Sequence, residues 1–257
     1  MIFCPAQSHL TLRATQGFLE GLISLLGLKL QVSHYSRFSR RAGDLNIQLA
    51  ALTKSKRKPT DIVIDSTGLK IYGEGEWKMR THGKQKRRTW RKYHVAINPA
   101  THEVMAVELT EANVHDCNIL SDLLSTQKKV GNVYADGAYT FKKNFDAIAA
   151  AGGTPFIPVR CGTTVMKKNP SEGEKLRNKL LQDIQEAGGR SKWKKISGYH
   201  RRSLVETHMY RLKTILGGTL RGRTMPNQKV EAAVMAKILN KMTALGMPKS
   251  EKIILEK

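Results

Sequence analysis

The stretch from residue 59 to about 160 limits the fold more than any other part of the chain, because it changes period partway along. DIVIDSTGLKIY, from Asp61, is rich in β-branched residues and reads as a strand. RKYHVAINPATHEVMAVELTEA, from Arg91, reads as two further strands joined at a turn on Asn98-Pro99. The pattern then alternates. HDCNILSDLLSTQ is helical with His115 or Asp116 near its cap, and GNVYADGAYT is a short strand. FKKNFDAIAAAGG is a helix that stops at glycines, and TPFIPVR is another strand. Strands in succession followed by alternating helix and strand predict an α/β fold, a mixed sheet with helices packed on it.

Both flanks read as helical. Residues 1–58 form an N-terminal segment in which TQGFLEGLISLLG has helical spacing, Thr15 as N-cap and Gly27 as stop. SHYSRFSRRAGDLNIQLAAL predicts a second helix with Arg37, Arg40 and Arg41 in its first turns. This pair is either a helix-turn-helix that reads a DNA groove or a packing pair with a solvated basic face. KSKRKPT then reads as a linker ending at Pro59, which sets off residues 59–257 as the main domain. Toward the C-terminus, SEGEKLRNKLLQDIQEAGG is one exposed helix or a pair. PNQKVEAAVMAKILNKMTALGMP is an amphipathic helix with Val234, Met235, Ile238, Leu239, Met242 and Leu245 on its face.

Charge narrows the partner. The chain of 257 residues holds 44 Lys and Arg against 21 Asp and Glu, a net charge of +23. Such an excess repels itself unless a polyanion neutralises it, and nucleic acid leads over an anionic membrane surface or a ribosomal setting. MIFCPAQSHLTLR lacks the pattern of a secretory signal. GFLEGLISLLGLKLQV is interrupted by Glu20 and Lys29, so no membrane span is expected. The three cysteines lack CxxC spacing, which argues against a disulfide framework or a zinc site. A cytoplasmic location follows as the expectation.

Within this basic chain one carboxylate stands alone. From Ala187 to Val230, Glu206 is the only acidic residue while Lys and Arg occur eleven times. On a helix turning about 100° per residue, Tyr199, Arg202, Glu206 and Lys213 share a sector of roughly 60°. Leu204, Val205, Met209, Leu212, Ile215 and Leu216 occupy the adjoining sector. Glu206 is either an i, i+4 partner of Arg202 or a metal ligand in a phosphate-binding surface. Two more acids bear on the choice. Asp65, in IVIDSTG, also suits a type I turn, and Asp136, in VYADGAY, also suits an Asp-Gly hairpin. Together they place one acid on the first strand, one at the end of the fourth and one on a helix after the fifth. That is the layout of a ribonuclease-H-like sheet, in which three carboxylates can hold two Mg²⁺ ions for in-line phosphoryl displacement. Arg202 and Lys213 would then clamp phosphate, and Tyr199 would contact a phosphate or stack near a distorted base.

These residues resemble the bacterial insertion-sequence transposases of the DDE class, specifically the family numbered five among insertion sequences. The signature Tyr-x2-Arg-x3-Glu-x6-Lys is matched at Tyr199, Arg202, Glu206 and Lys213, and the two aspartate blocks at Asp65 in DSTGLK and Asp136 in DGAY. The likeness continues through GEWKMRTHGKQKRRTWRKYHVAIN and LNKMTALGMP, and so covers most of the chain. It implies metal-dependent hydrolysis of DNA at the element's ends, then attack of the freed 3′-OH on target DNA. Asp65, Asp136 and Glu206 would be the catalytic metal ligands for two Mg²⁺, with Mn²⁺ as substitute. The partners implied are double-stranded DNA, as terminal inverted repeats and target, and further copies of the chain assembled on that DNA. The segment Lys78–Lys92 holds eight Lys or Arg, of which Arg87, Arg88, Arg91 and Lys92 are expected to track the DNA backbone with Tyr199, Arg202 and Lys213. The seventy positions from Asp136 to Glu206 leave no room for a large inserted domain. The family's longer N-terminal region implies that an upstream recognition element is missing here. The alternative that follows is a shortened, non-catalytic DNA-binding regulator of transposition.

Overall fold

The computed structural model describes residues 10–42, 44, 45, 47, 49, 59–71, 90–127, 129–159, 162–165 and 169–246. Among these, six strands form one mixed sheet flanked by eight α-helices, consistent with a ribonuclease-H-like fold. The central strand β1 (Thr60–Ile71) runs antiparallel to β2 (Trp90–Ile97) and parallel to β4 (Val130–Tyr134). Outside them lie β3 (Val104–Glu111), antiparallel to β2, and β5 (Thr154–Phe156), parallel to β4. The order is therefore β3-β2-β1-β4-β5. A further short strand, β6 (Thr219–Leu220), pairs with β1 only at Lys70 and Ile71.

Helices cover both faces of the sheet, which is why Ile62, Val63 and Ile64 form an unbroken apolar run with no exposed surface. On one face Val63, Leu69, Tyr93 and Val95 pack against α7 (Leu204–Arg211) and α8 (Met225–Leu245) through Val205, Met235 and Leu239. On the other, Ile62, Ile64 and Ala96 pack against α3 (Leu120–Ser125) and α4 (Lys142–Ala150) through Leu120, Leu123 and Ile148. Each such aliphatic side chain contributes about 1.5–3 kcal/mol on burial. A third cluster joins Phe145 of α4 to Leu180, Leu181 and Ile184 of α5 (Glu172–Glu186) and Trp193 of α6 (Arg190–Ile196). Asn240, buried on α8, locks that helix to β3. Its carboxamide accepts from the Val104 N–H at 2.7 Å and donates to the Val104 carbonyl at 2.8 Å.

Several local readings change on sight of the fold. The first helix, α1 (Leu12–Leu25), is capped by Thr11; Thr15 lies a turn inside, its hydroxyl donating to the Thr11 carbonyl. The second, α2, runs only Tyr35–Ala42. HDCNILSDLLSTQ divides into a 3₁₀ turn at Asp116–Asn118 and α3, and β5 keeps three residues of the longer strand expected. α5 is a single helix whose Ser171 and Glu174 cap each other's backbone. No described helix is long and apolar enough to cross a membrane.

Candidate active site

β4 leaves the sheet early, and that opens the site. Its last pairing with β1 is Tyr134 opposite Val63, and β6 takes up the same edge only at Lys70. Between these points β1 carries Asp65 and Thr67, on the same side of the strand as Val63 and Leu69. Parallel strands that end beside a longer neighbour leave a crevice at their carboxyl ends, where ligands of open α/β sheets bind.

Asp65 is held in that crevice from both sides. One oxygen accepts from the Ser66 N–H at 2.8 Å, and the other from Nη1 of Arg202 at 2.6 Å. Nη2 of the same guanidinium donates to Oε1 of Glu206, also at 2.6 Å. Arg202 therefore bridges the two carboxylates, one from β1 and one from α7. Glu206 is the more exposed of the two, its side chain retaining 58% of its surface against 19% for Asp65. Burial raises the Asp65 carboxyl above its ordinary value; the Ser66 N–H and Arg202 oppose this, and the charge of Asp136 adds to it. Asp136 follows β4 and caps a 3₁₀ turn at Gly137–Tyr139, with Oδ1 accepting from the Ala138 N–H at 2.8 Å.

The signature stretch is not one regular α-helix. Tyr199–Ser203 is a 3₁₀ turn, α7 follows, and Leu212–Leu216 closes as a π turn, a feature common at functional sites. The tight first turn places Tyr199 inward, buried against Trp193 with ring centroids 5.8 Å apart. Its hydroxyl donates to the Ala135 carbonyl at 3.2 Å, and burial pushes its pKa up to about 12. Where a phosphate contact is expected from Tyr199, the hydroxyl is engaged inside the protein. Lys213, in the π turn, reaches back to β1 and donates to the Thr67 hydroxyl at 2.7 Å.

Sequence reasoning passed over a fourth acid, Asp116. Of the two residues expected near the cap, His115 holds that position, and Asp116 turns toward the sheet. Its Oδ2 accepts from the Ser66 hydroxyl and its Oδ1 from Lys92, each at 3.0 Å. Lys92 also donates to the Val114 carbonyl at 2.8 Å. Beside them His94 is fully buried, with Nε2 2.8 Å from the Thr110 hydroxyl and Nδ1 without a hydrogen-bond partner. The Tyr139 hydroxyl is likewise buried and unpartnered; burial raises its pKa, and the charges of Asp116, Asp65 and Asp136 add to that. Four acidic side chains thus come from three loops or strands and α7 toward one end of the sheet.

The remaining candidates differ in placement. Arg91 donates through Nε to Oε1 of Gln228 at 2.9 Å, so it stands beside α8. Arg87 and Arg88 lie outside the described residues. Among the described residues no group of three or more His, Cys, Asp or Glu is drawn together closely enough to hold a metal ion. The chemistry of the donor set still suits one: carboxylate oxygens are the ligands Mg²⁺ prefers, and Asp65 and Asp136 repel each other across the crevice. Arg202 supplies the positive charge there. The family model described as "Transposase DDE domain" matches residues 56–241, more than half of the chain. A second model with the same description matches residues 5–74.

Proposed function

The chain belongs to the DDE transposase family, and from that premise we propose that it cuts DNA at the ends of an insertion sequence and joins the freed 3′-OH to target DNA. Within the family we assign it to insertion-sequence family five on the spacing of Tyr199, Arg202, Glu206 and Lys213. The observation that carries the catalytic reading is the Arg202 bridge. One guanidinium bonds both Asp65 and Glu206, and the charge of Asp136 acts on the same Asp65.

In this reading Asp65, Asp136 and Glu206 would hold two divalent ions, Mg²⁺ or Mn²⁺. The ions supply Lewis-acid stabilisation of the attacking and leaving oxygens. The protein's own groups do the rest. Glu206, the most exposed of the three, turns from Arg202 into the crevice. Arg202 is released from one carboxylate and offsets charge on the phosphoryl oxygens. Lys213, anchored by Thr67, points its ammonium along β1 beside the cut strand. Tyr199 holds the Glu206 segment against the end of β4 and thereby positions Asp136.

The bond changes balance without a covalent enzyme intermediate. Water oxygen bonds to phosphorus at the element's end as the bond from phosphorus to the 3′-oxygen breaks, leaving a 3′-OH and a 5′-phosphate. That 3′-OH then bonds to a target phosphorus and the target's own 3′-oxygen leaves. Because two ends must reach one target, we propose that the chain acts as a homo-oligomer on DNA.

The test supplies the product of the first step. A short duplex carrying a terminal repeat with a free 3′-OH is incubated with the protein, Mg²⁺ and a target plasmid. A transposase joins the duplex to the plasmid. Cutting of the plasmid with no joined product would instead identify a nuclease on the same fold.

A further inference from the structure

β6 leads into a loop, residues 221–224, that connects it to α8, and two polar side chains of α8 hold this loop. Glu231 accepts the backbone N–H of Arg221 at 3.0 Å and that of Gly222 at 2.8 Å. Gln228, which retains 1% of its surface, donates to the Gly222 carbonyl at 2.9 Å while its oxygen accepts from Arg91 of β2. Three residues apart on the helix, Gln228 and Glu231 share one face, and together they take up both backbone N–H groups and a carbonyl of the loop. Gly222 is required for the close approach. A Cβ there would come within 3.0 Å of the Gln228 nitrogen and 3.1 Å of the Asn227 carbonyl carbon.

The clamp fixes a surface segment whose side chains are cationic. Arg223 is exposed and engaged by no described residue. Arg221 is exposed too, one of its guanidinium nitrogens donating to the Leu10 carbonyl at 3.1 Å. Arg91 joins them from the sheet through Gln228. The carboxylate at the centre of the clamp gives both oxygens to backbone N–H groups, and its charge offsets part of that of Arg221, which leaves Arg223 and Arg91 in excess. Folding thus holds the backbone that carries Arg221 and Arg223 in place before any ligand arrives, which lowers the ordering cost of an electrostatic contact.

We propose that the 221–223 loop, with Arg91, is a preformed binding site for the phosphodiester backbone of duplex DNA, separate from the Asp65 crevice. The inference rests on the reading of the chain as a DNA-acting transposase and adds to it a second point of contact. β6 meets β1 at Lys70, which at about 3.3 Å per strand residue lies roughly 17 Å along β1 from Asp65. That is a reach of about five base pairs on a duplex rising 3.4 Å per pair. The loop would therefore grip the flanking duplex and not the phosphate being cut.

The experiment measures binding of a non-specific duplex by fluorescence anisotropy across a range of salt concentrations, in EDTA so that the carboxylate site plays no part. The wild type is compared with Arg223→Gln, Arg91→Gln and Glu231→Gln, with thermal unfolding as a fold check. Each arginine variant is expected to lose affinity several-fold and to reduce the slope of log K against log salt by about one. Glu231→Gln removes a negative charge, so a merely cationic surface would bind DNA more tightly; the clamped loop predicts weaker binding with little change of slope. Gln228→Ala, which loosens the loop without changing charge, is expected to do the same. Unchanged affinity and slope in Arg223→Gln, or tighter binding by Glu231→Gln, would overturn this site alone. Absence of DNA binding by the wild type would overturn the DNA-acting reading beneath it.

Discussion

The hydroxyl of Tyr199 donates to the carbonyl oxygen of Ala135 across 3.2 Å, and Ala135 is the residue before Asp136. The segment that carries Glu206 is thereby tied to the end of the strand that delivers the second aspartate. Tyr199→Phe leaves that carbonyl without its donor, at a cost of about 1–2 kcal/mol. Cleavage is expected to fall about tenfold while the salt dependence of DNA binding stays that of the wild type. Thermal unfolding and salt titrations check the pair of outcomes. Weaker DNA binding by the variant at an unchanged salt slope would show that the hydroxyl meets phosphate instead.

Arg202 pairs with both Asp65 and Glu206 through one guanidinium, so a divalent cation has to compete with it. Arg202→Gln removes the competitor. The variant is expected to melt lower than the wild type without metal, yet to gain more from Mn²⁺, by a few degrees for each additional ~1 kcal/mol. Cleavage should nevertheless fall at least tenfold, because the phosphate loses its guanidinium. Equal Mn²⁺ shifts in the two proteins would contradict the bridge as the resting state of the site.

Asp116 joins Ser66, next to Asp65, to the ammonium of Lys92. Asp116→Asn keeps the shape and an acceptor oxygen but removes the negative charge facing that ammonium, which is expected to cost about 1–3 kcal/mol in denaturant unfolding. Adding Lys92→Met removes the stranded charge and should restore part of the loss. A double variant no more stable than the single one would mean that the pair is not coupled.

His94 sets a pH dependence of stability. It is fully buried, and burial lowers its pKa to about 4 against the pull of Asp116. The unfolded chain binds a proton near pH 6.5 that the folded chain refuses until about pH 4. Its contribution is therefore complete above pH 6.5 and is lost as pH falls toward 4, a change on the order of 3 kcal/mol. His94→Gln is expected to flatten the stability profile in that window. Denaturant midpoints at pH 7, 5.5 and 4.5 compare the two, and parallel profiles would refute the assignment.

How much of this was legible beforehand depends on the range of the contact. Apolar runs such as Ile62–Ile64 and the alternation after residue 113 revealed the mixed sheet, because burial on both faces and helical period are local properties. The positions of Asp65, Asp136 and Glu206 relative to strands and helices were legible for the same reason. Tyr199 was not. A wheel at 100° per residue does not describe a segment that starts as a 3₁₀ turn and ends as a π turn, so the shared sector pointed outward where the tyrosine turns in. Asp116 was missed because its partners Ser66 and Lys92 lie 50 and 24 residues away, and nothing in the HDC turn announces them. The two-residue β6 is too short to carry a period, yet its pairing places the Arg221–Arg223 loop beside Arg91.

The central claim is that Asp65, Asp136 and Glu206 form one centre for metal-dependent DNA cleavage. The most direct measurement follows nicking of a supercoiled plasmid carrying the element's ends, with Mg²⁺ and with Mn²⁺, by the wild type and by Asp65→Asn, Asp136→Asn and Glu206→Gln. The account predicts metal-dependent nicking by the wild type, a loss of about a thousandfold or more in each variant, and DNA binding retained by all. Nicking by Glu206→Gln at the wild-type rate would remove Glu206 from the centre and return it to a surface partner of Arg202.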